Sequence, residues 1–470
     1  MRRDRYRQRY HLSPPYGFMN DPNGVSFYKG VYHVFYQWNT NFPGEKQIHW
    51  GHFSSDDMIN WNHGKAVLAP VDWYDKNGCY SGSAIKYNDK LYAFYTGNVK
   101  DENNIRSAYQ CLAISSDGFE FEKYDQNPLI DGTPKGYTPH YRDPKVWLDE
   151  NGNGFMVIGA QRENHTGTVV LYTSTNMLDW EFKGEISDKK LGYMWECPDL
   201  FKLDGYDVLI FCPQGLEPEG DLYNNRYQCG YMIGNMNLEN GKFDSGDFVE
   251  LDRGFEFYAP QTVSLPDGRI ILYAWMGMPE EEDHPSVEDN WVHCMTMPRE
   301  LDISRGMLIQ KPVGEIERLK ENKVESDPME IREGHIKIPE FAGESVNIKM
   351  LLKNKGAKEF GVYLKASDDL QENTMIKVNS DTNKIELNRE KSGLWGSGIR
   401  RAQLKSADSV ELDIYLDTSS VEVFVNGGEE VFTARIFPSK EGICFGLFAN
   451  GGAVEMAKGE KSDMKKSINF

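Results

Sequence analysis

Along the first two-thirds of the chain, hydrophobic positions come in short β-branched and aromatic runs, each entered from a turn. Gly30-Val-Tyr-His-Val-Phe-Tyr-Gln, Asp89-Lys-Leu-Tyr-Ala-Phe-Tyr-Thr, Gly152-Asn-Gly-Phe-Met-Val-Ile-Gly, Asp204-Gly-Tyr-Asp-Val-Leu-Ile-Phe and Asp267-Gly-Arg-Ile-Ile-Leu-Tyr-Ala start 52 to 63 residues apart. A Gly/Asp turn followed by this composition predicts a strand leaving a hairpin. A second pattern keeps step with the first. Ser55-Asp-Asp-Met-Ile-Asn-Trp, Ser116-Asp-Gly-Phe-Glu-Phe and Ser174-Thr-Asn-Met-Leu-Asp-Trp bring aromatics to positions 61, 121 and 180. About sixty residues hold a four-stranded antiparallel sheet, and radial repetition of such sheets makes a propeller. Five copies predict a five-bladed β-propeller over 1–314 in an all-β chain with almost no helical periodicity.

Past Lys311-Pro-Val-Gly-Glu these motifs stop, and the charged stretch 315–333 reads as a linker. Beyond it, strands alternate strictly. Val410, Leu412, Ile414 and Leu416 share one face, as do Val421, Val423 and Val425. Asn426-Gly-Gly then turns the chain into Glu430-Val-Phe-Thr-Ala-Arg-Ile. Period two with hairpin turns predicts a β-sandwich over 334–470.

Charge and cysteine content remove several classes of function. A net charge of −20 repels phosphate backbones and anionic lipid, so nucleic acid and membranes are not expected partners. Arg2, Arg3, Arg5, Arg7 and Arg9 are the local exception and read as a solvated segment. No apolar stretch follows them to make a secretion signal, and no run approaches a membrane span. Seven scattered cysteines, never spaced Cys-x-x-Cys, predict reduced thiols in a cytoplasmic protein. No cofactor is expected, and no His/Cys/carboxylate spacing suggests a metal.

A dense polar motif precedes each of the five runs: Met19-Asn-Asp-Pro-Asn-Gly, Cys79-Tyr-Ser-Gly-Ser-Ala, Tyr141-Arg-Asp-Pro-Lys-Val-Trp, Trp195-Glu-Cys-Pro-Asp-Leu-Phe and Phe257-Tyr-Ala-Pro-Gln-Thr. If each occupies the first strand of its blade, Asp21, Asp143 and Glu196 converge on the central channel. Clustered acids suit glycoside hydrolysis, in which one carboxylate attacks or activates water and another protonates the leaving oxygen. Singly, Asn-Asp-Pro-Asn-Gly and Arg-Asp-Pro are ordinary tight turns. Their recurrence in phase, each with an acid at the corresponding place, favours chemistry.

With these motifs the chain resembles the β-fructofuranosidases of glycoside hydrolase family 32. The likeness includes Asn20-Asp21-Pro22-Asn23-Gly24, Phe35-Tyr-Gln-Trp-Asn, His49-Trp-Gly-His, Tyr80-Ser-Gly-Ser-Ala, Arg142-Asp143-Pro144, Glu196-Cys197-Pro198, Tyr258-Ala-Pro-Gln-Thr and Ser420-Val-Glu-Val-Phe-Val-Asn-Gly. The resemblance implies a propeller with a C-terminal sandwich and a fructoside such as sucrose or its 6-phosphate as substrate. It implies Asp21 as nucleophile, Glu196 as acid/base and Asp143 as transition-state stabiliser. It further implies a fructose pocket shaped by Asn20, Gln37, Trp50, Tyr80, Ser81, Arg142, Cys197, Tyr258 and Trp275. Such a retaining reaction expects carboxyl groups about 5–5.5 Å apart. Asp21 must be ionised to attack and so well hydrogen-bonded, whereas Glu196 must hold a proton, so burial or a neighbouring anion should raise its pKa.

One departure stands out. Glu45-Lys46 occupies the place where many relatives carry a Trp-Gly pair, so Lys46 and His49 become candidates for a phosphate or leaving-group contact, against the alternative of a solvated loop lysine. Competing readings are a fructan-degrading or fructosyl-transferring relative and a non-catalytic sugar-binding protein. The latter fits poorly with all three acids present.

Overall fold

The five motifs lie on the first strands of five successive antiparallel sheets in the computed structural model, which describes residues 4–439 and 442–470. Those strands are Gly17–Tyr28, Cys79–Tyr87, Tyr137–Leu148, Met194–Leu203 and Tyr258–Ser264. Each packs against the next, and the fifth against the first, which closes a ring around a central axis. The five hydrophobic runs form the second strands, Val31–Asn39, Lys90–Lys100, Gly154–Arg162, Tyr206–Gln214 and Ile270–Met276. These are almost wholly buried, because their sheets pack against neighbours on both faces. The chain therefore forms a five-bladed β-propeller followed by a β-sandwich.

Each axial strand is broken at the same place. Its ladder slips between Met19 and Pro22, Tyr80 and Gly82, Arg142 and Lys145, Glu196 and Asp199, and Tyr258 and Gln261. A bulge removes residues from the ladder and re-aims their side chains. Proline, which has no N–H to donate, is tolerated at such points, and here Pro144, Pro198 and Pro260 lie within three of the breaks while Pro22 closes a fourth. Asp143, Cys197 and Ala259 take φ of 67°, 48° and 48°. Positive φ costs a non-glycine residue on the order of 1–3 kcal/mol, and such strain collects at functional sites.

The second repeat closes the outer hairpins. The hydroxyls of Ser55, Ser115 and Ser174 each donate to an acid or amide two residues on, Asp57, Asp117 and Asn176. The structural equivalent in the second blade is thus Ser115, one residue before the serine that the pattern picks out.

Two expectations are corrected. Residues 315–333 are not a bare linker, since Lys320–Ser326 and Met329–Ile331 pair with Ala453–Met464 and extend a sandwich sheet. Their charges fit an edge strand with one face in water. The arginine-rich segment is not merely solvated either, although Arg2 and Arg3 lie outside the described residues. Tyr6 among the remaining arginines and Tyr10 and Leu12 just after them are buried, and the Arg5 Nη2 donates to the Pro438 carbonyl at 2.6 Å. The segment straps the propeller to the sandwich. At the other end of the chain, Ile468–Asn469 leaves the sandwich to pair in parallel with Trp61–Asn62 of the first blade.

One sandwich face encloses an apolar core that includes Ile348, Phe360, Leu412, Val423 and Leu447. The reverse face meets the propeller through buried charge. His11 bonds Asp417 and Glu422 at 3.0 and 2.9 Å, and Arg299 bonds Glu422 and Asp252 with every member fully buried. Removing one partner from such a pair strands the other in low dielectric.

Candidate active site

The axial bulges bring Asp21, Asp143 and Glu196 to one mouth of the channel. Asp21 Oδ2 accepts from Ser81 Oγ at 2.5 Å and Gln37 Nε2 at 2.9 Å, and Oδ1 from Asn20 Nδ2 at 3.2 Å. Cys197 Sγ stands between the two aspartates, 3.7 Å from Asp21 Oδ2 and 3.6 Å from Asp143 Oδ2. The Cys197 backbone N–H also donates to Asp143 Oδ2 at 3.0 Å, a bond that its positive φ makes available. Burial and the flanking anions push the thiol far above the ordinary cysteine range, so it stays a neutral S–H donor.

Glu196 is held from both sides. Its Oε1 accepts from Arg142 Nε and Nη2 at 3.1 and 2.5 Å. Its Oε2 accepts from Tyr258 Oη at 2.6 Å and Gln214 Nε2 at 2.7 Å. His140 Nδ1 lies 3.0 Å from Arg142 Nη1 and helps to fix the guanidinium.

This electrostatic arrangement reverses the expected one. Burial raises the Glu196 pKa, but the Arg142 charge and the Tyr258 hydrogen bond outweigh it and hold the carboxyl below the ordinary glutamate value. Asp21 is raised by burial, partly offset by Ser81, with the Glu196 charge adding to the rise. Burial lifts Asp143 to about 7, Arg142 opposing and the anions Glu196 and Asp21 assisting. The physical reason is the position of the guanidinium, which reaches Glu196 closely and Asp143 only at 4.0 Å. Burial thus favours the protonated form of Asp143, while Arg142 favours the charged form of Glu196.

The remaining expected residues divide by depth. Tyr80 and Ser81 follow Cys79 on the second axial strand, and Gln37 ends a second strand beside Asp21. Trp50 is fully buried and donates from Nε1 to the Tyr80 carbonyl at 3.0 Å, so it backs the wall instead of lining it. Trp275 is 3% exposed and edge-on to Tyr258 at 6.3 Å, again behind the surface. Lys46 is exposed, with its Nζ over the Tyr80 ring at 5.8 Å, while His49 turns to the Gln47 carbonyl of its own loop. Sequence reasoning missed Arg106, Gln214 and His140. Arg106 lies over the Tyr80 ring at 5.7 Å and is a lone cation at a strand end, which no motif marks.

Acids gathered on strained bulges at a channel mouth, one clamped by arginine and two sharing a thiol, are the equipment of a glycoside hydrolase. The chain belongs to glycosyl hydrolase family 32: the family's N-terminal domain matches residues 11–312 and its C-terminal domain residues 315–463. It is 42% identical to the sucrose-6-phosphate hydrolase of Bacillus subtilis, over 93% of this chain and 90% of that one. Among solved structures it is similar to the sucrose-6-phosphate hydrolase of Lactobacillus gasseri, with TM-score 0.90, 31% identity and coverage of 98% and 94%. A mutant Bombyx mori GH32 beta-fructofuranosidase in complex with sucrose gives TM-score 0.86 and 33% identity, covering 99% and 95%.

Proposed function

We propose that this protein hydrolyses the β-fructofuranosyl bond of sucrose or sucrose 6-phosphate and releases fructose, with retention. The observation that carries the reading is the convergence of Asp21, Asp143 and Glu196 on one channel mouth within family 32. Asp21 attacks the anomeric carbon of the fructosyl unit, and Glu196 gives its proton to the departing oxygen. Glu196 then takes a proton from water, which cleaves the fructosyl–Asp21 ester. Asp143 and Arg142 hold fructose hydroxyls. Because Arg142 favours the charged form of Glu196, substrate hydroxyls that draw it towards the sugar free that carboxyl to carry the proton.

Between the two substrates, the phosphorylated one is favoured by the cations around Tyr80. Lys46 and Arg106 both approach its ring, and neither makes a salt bridge among the described residues, although Arg106 also feels the charges of Glu196 and Asp143. Two cations without a salt bridge at a pocket mouth suit an anionic leaving group. The sucrose-6-phosphate hydrolase relatives support the same choice. A cytoplasmic address belongs to this reading and is supported by seven cysteines that form no disulfide. No helix among the described residues is long and apolar enough to cross a membrane.

The test compares kcat/KM for sucrose and sucrose 6-phosphate on the purified protein and follows the anomeric form of released fructose before mutarotation. Preference for the phosphate with initial retention is expected. Inversion would refute the covalent route, and equal use of plain sucrose would remove the phosphate specificity.

A further inference from the structure

Away from the acids, the loop that follows Ile270–Met276 gathers two histidines and a glutamate around one point. Glu281 and His284 precede the short turn Pro285–Asp289, and His293 follows Trp291–Val292. One ligand atom from each can be chosen so that all lie within 4.8 Å of one another. His284 is 1% exposed and His293 0%. Glu281 Oε2, both ring nitrogens of His284 and His293 Nδ1 have no hydrogen-bond partner among the described residues. Buried polar atoms normally find partners, so four orphans at one place ask for an occupant. His293 is already oriented for one: its Nε2 donates to the Glu281 carbonyl at 2.8 Å, which leaves the lone pair on Nδ1. A backbone carbonyl on the far nitrogen is the usual support of a metal-bound imidazole. Gly277 keeps the approach clear, because a Cβ there would lie 2.5 Å from His293 Nδ1.

We propose that Glu281, His284 and His293 form a binding site for a zinc-class divalent cation. Two imidazoles and a carboxylate are borderline donors, the set that zinc takes with a solvent molecule in a fourth position. Tetrahedral zinc holds such donor atoms about 3.3 Å apart, so the side chains need close by only about 1–1.5 Å. His284 Nε2 and Glu281 Oε2 are already 3.7 Å apart.

Charges of both signs face the site. Arg389, Arg400 and Arg435 oppose a cation, but Glu256 accepts from Arg389 Nη1 and the Arg435 backbone N–H at 2.7 Å each, and Asp283 adds a further anion. Burial keeps both imidazoles neutral, with Arg435 acting in the same sense. The position gives the cation a structural task. His293 packs edge-on to Trp275 at 5.0 Å, and His284 to Trp395 of the sandwich at 4.1 Å. A bound ion would tie the loop behind the pocket wall to the second domain.

The test uses the full chain, stripped with EDTA, returned to Zn2+ and freed of excess by gel filtration. Mass spectrometry should count one zinc per chain, and Tm should rise with free zinc. Co2+ in place of zinc should show the visible bands of a four-coordinate ion. His284→Gln, His293→Gln and the partly exposed Glu281→Gln should each lose the ion and the Tm response, and Glu281→Gln serves if the histidine variants do not fold. Wild-type protein that retains no zinc would overturn the proposal. So would variants that still hold one equivalent, since the ion would then lie elsewhere.

Discussion

Arg142 donates from both Nε and Nη2 to a single oxygen of Glu196, at 3.1 and 2.5 Å, while Asp143, its neighbour in sequence, stays 4.0 Å away. The guanidinium thus stabilises the charged form of the carboxyl that the proposed reaction uses as its acid. The Tyr258 phenol donates to the other oxygen, so in the proposed reaction sugar hydroxyls entering this set of bonds would decide where the proton sits.

Tyr258→Phe should raise the Glu196 pKa, because it removes a hydrogen bond donated to the charged carboxylate. Glu196 then keeps its proton to higher pH, and the alkaline limb of the kcat/KM profile moves upward by about one unit. An unmoved limb would mean that another group sets it.

Arg106→Ala should lower kcat/KM for sucrose 6-phosphate about 10- to 100-fold, the worth of one charge-assisted hydrogen bond, and change sucrose turnover far less. Lys46→Ala should act in the same direction but more weakly, because Lys46 is exposed while Arg106 is half-buried against Tyr80. Equal losses on both substrates would make Arg106 a support for Tyr80.

Gly82 follows Ser81, and a Cβ there would lie 1.9 Å from the Phe94 carbonyl oxygen and 2.7 Å from Tyr95 Cα. These are backbone atoms of the paired strand and cannot step aside. Gly82→Ala should destabilise by about 1–3 kcal/mol and displace Ser81 from Asp21. A urea melt and a sucrose assay on the same sample would check both effects.

At the domain junction, burial favours neutral Asp417, but hydrogen bonding and the charge of His11 hold it down at about 2. Burial likewise disfavours the His11 imidazolium, yet hydrogen bonds to Asp417 and Glu422 raise its pKa. The acid's contribution is present above its unfolded value of about 3.9 and is lost as pH falls through about 2. The histidine's is present below its unfolded value of about 6.5 and is lost as pH rises through its raised folded value. Tm should therefore plateau between those limits. Asp417→Asn should cost about 3–5 kcal/mol within the plateau and remove the acid limb, as scanning calorimetry would reveal.

Much of this was legible in the chain itself. The spacing of the five hydrophobic runs sufficed for five blades, because the second strand of each blade is buried on both faces and tolerates little but apolar residues. The motifs of Asp21, Asp143 and Glu196 were equally visible, because a bulge aimed at the axis uses a recurring acid–proline or cysteine–proline pair. The charged stretch 315–333 misled, since an edge strand with one wet face has the same composition as a linker.

Other features existed only in three dimensions. Which acid Arg142 grips depends on a guanidinium position that no spacing encodes, and it shifts Glu196 downward where the sequence predicts a rise. The meeting of Glu281, His284 and His293, like the ties from His11 and Arg299 into the sandwich, depends on how one loop and two domains pack. Periodicity reports which side of a strand avoids water. Where an isolated charge finds its partner is decided by the closing of the ring and the docking of the sandwich, which bring together residues hundreds of positions apart.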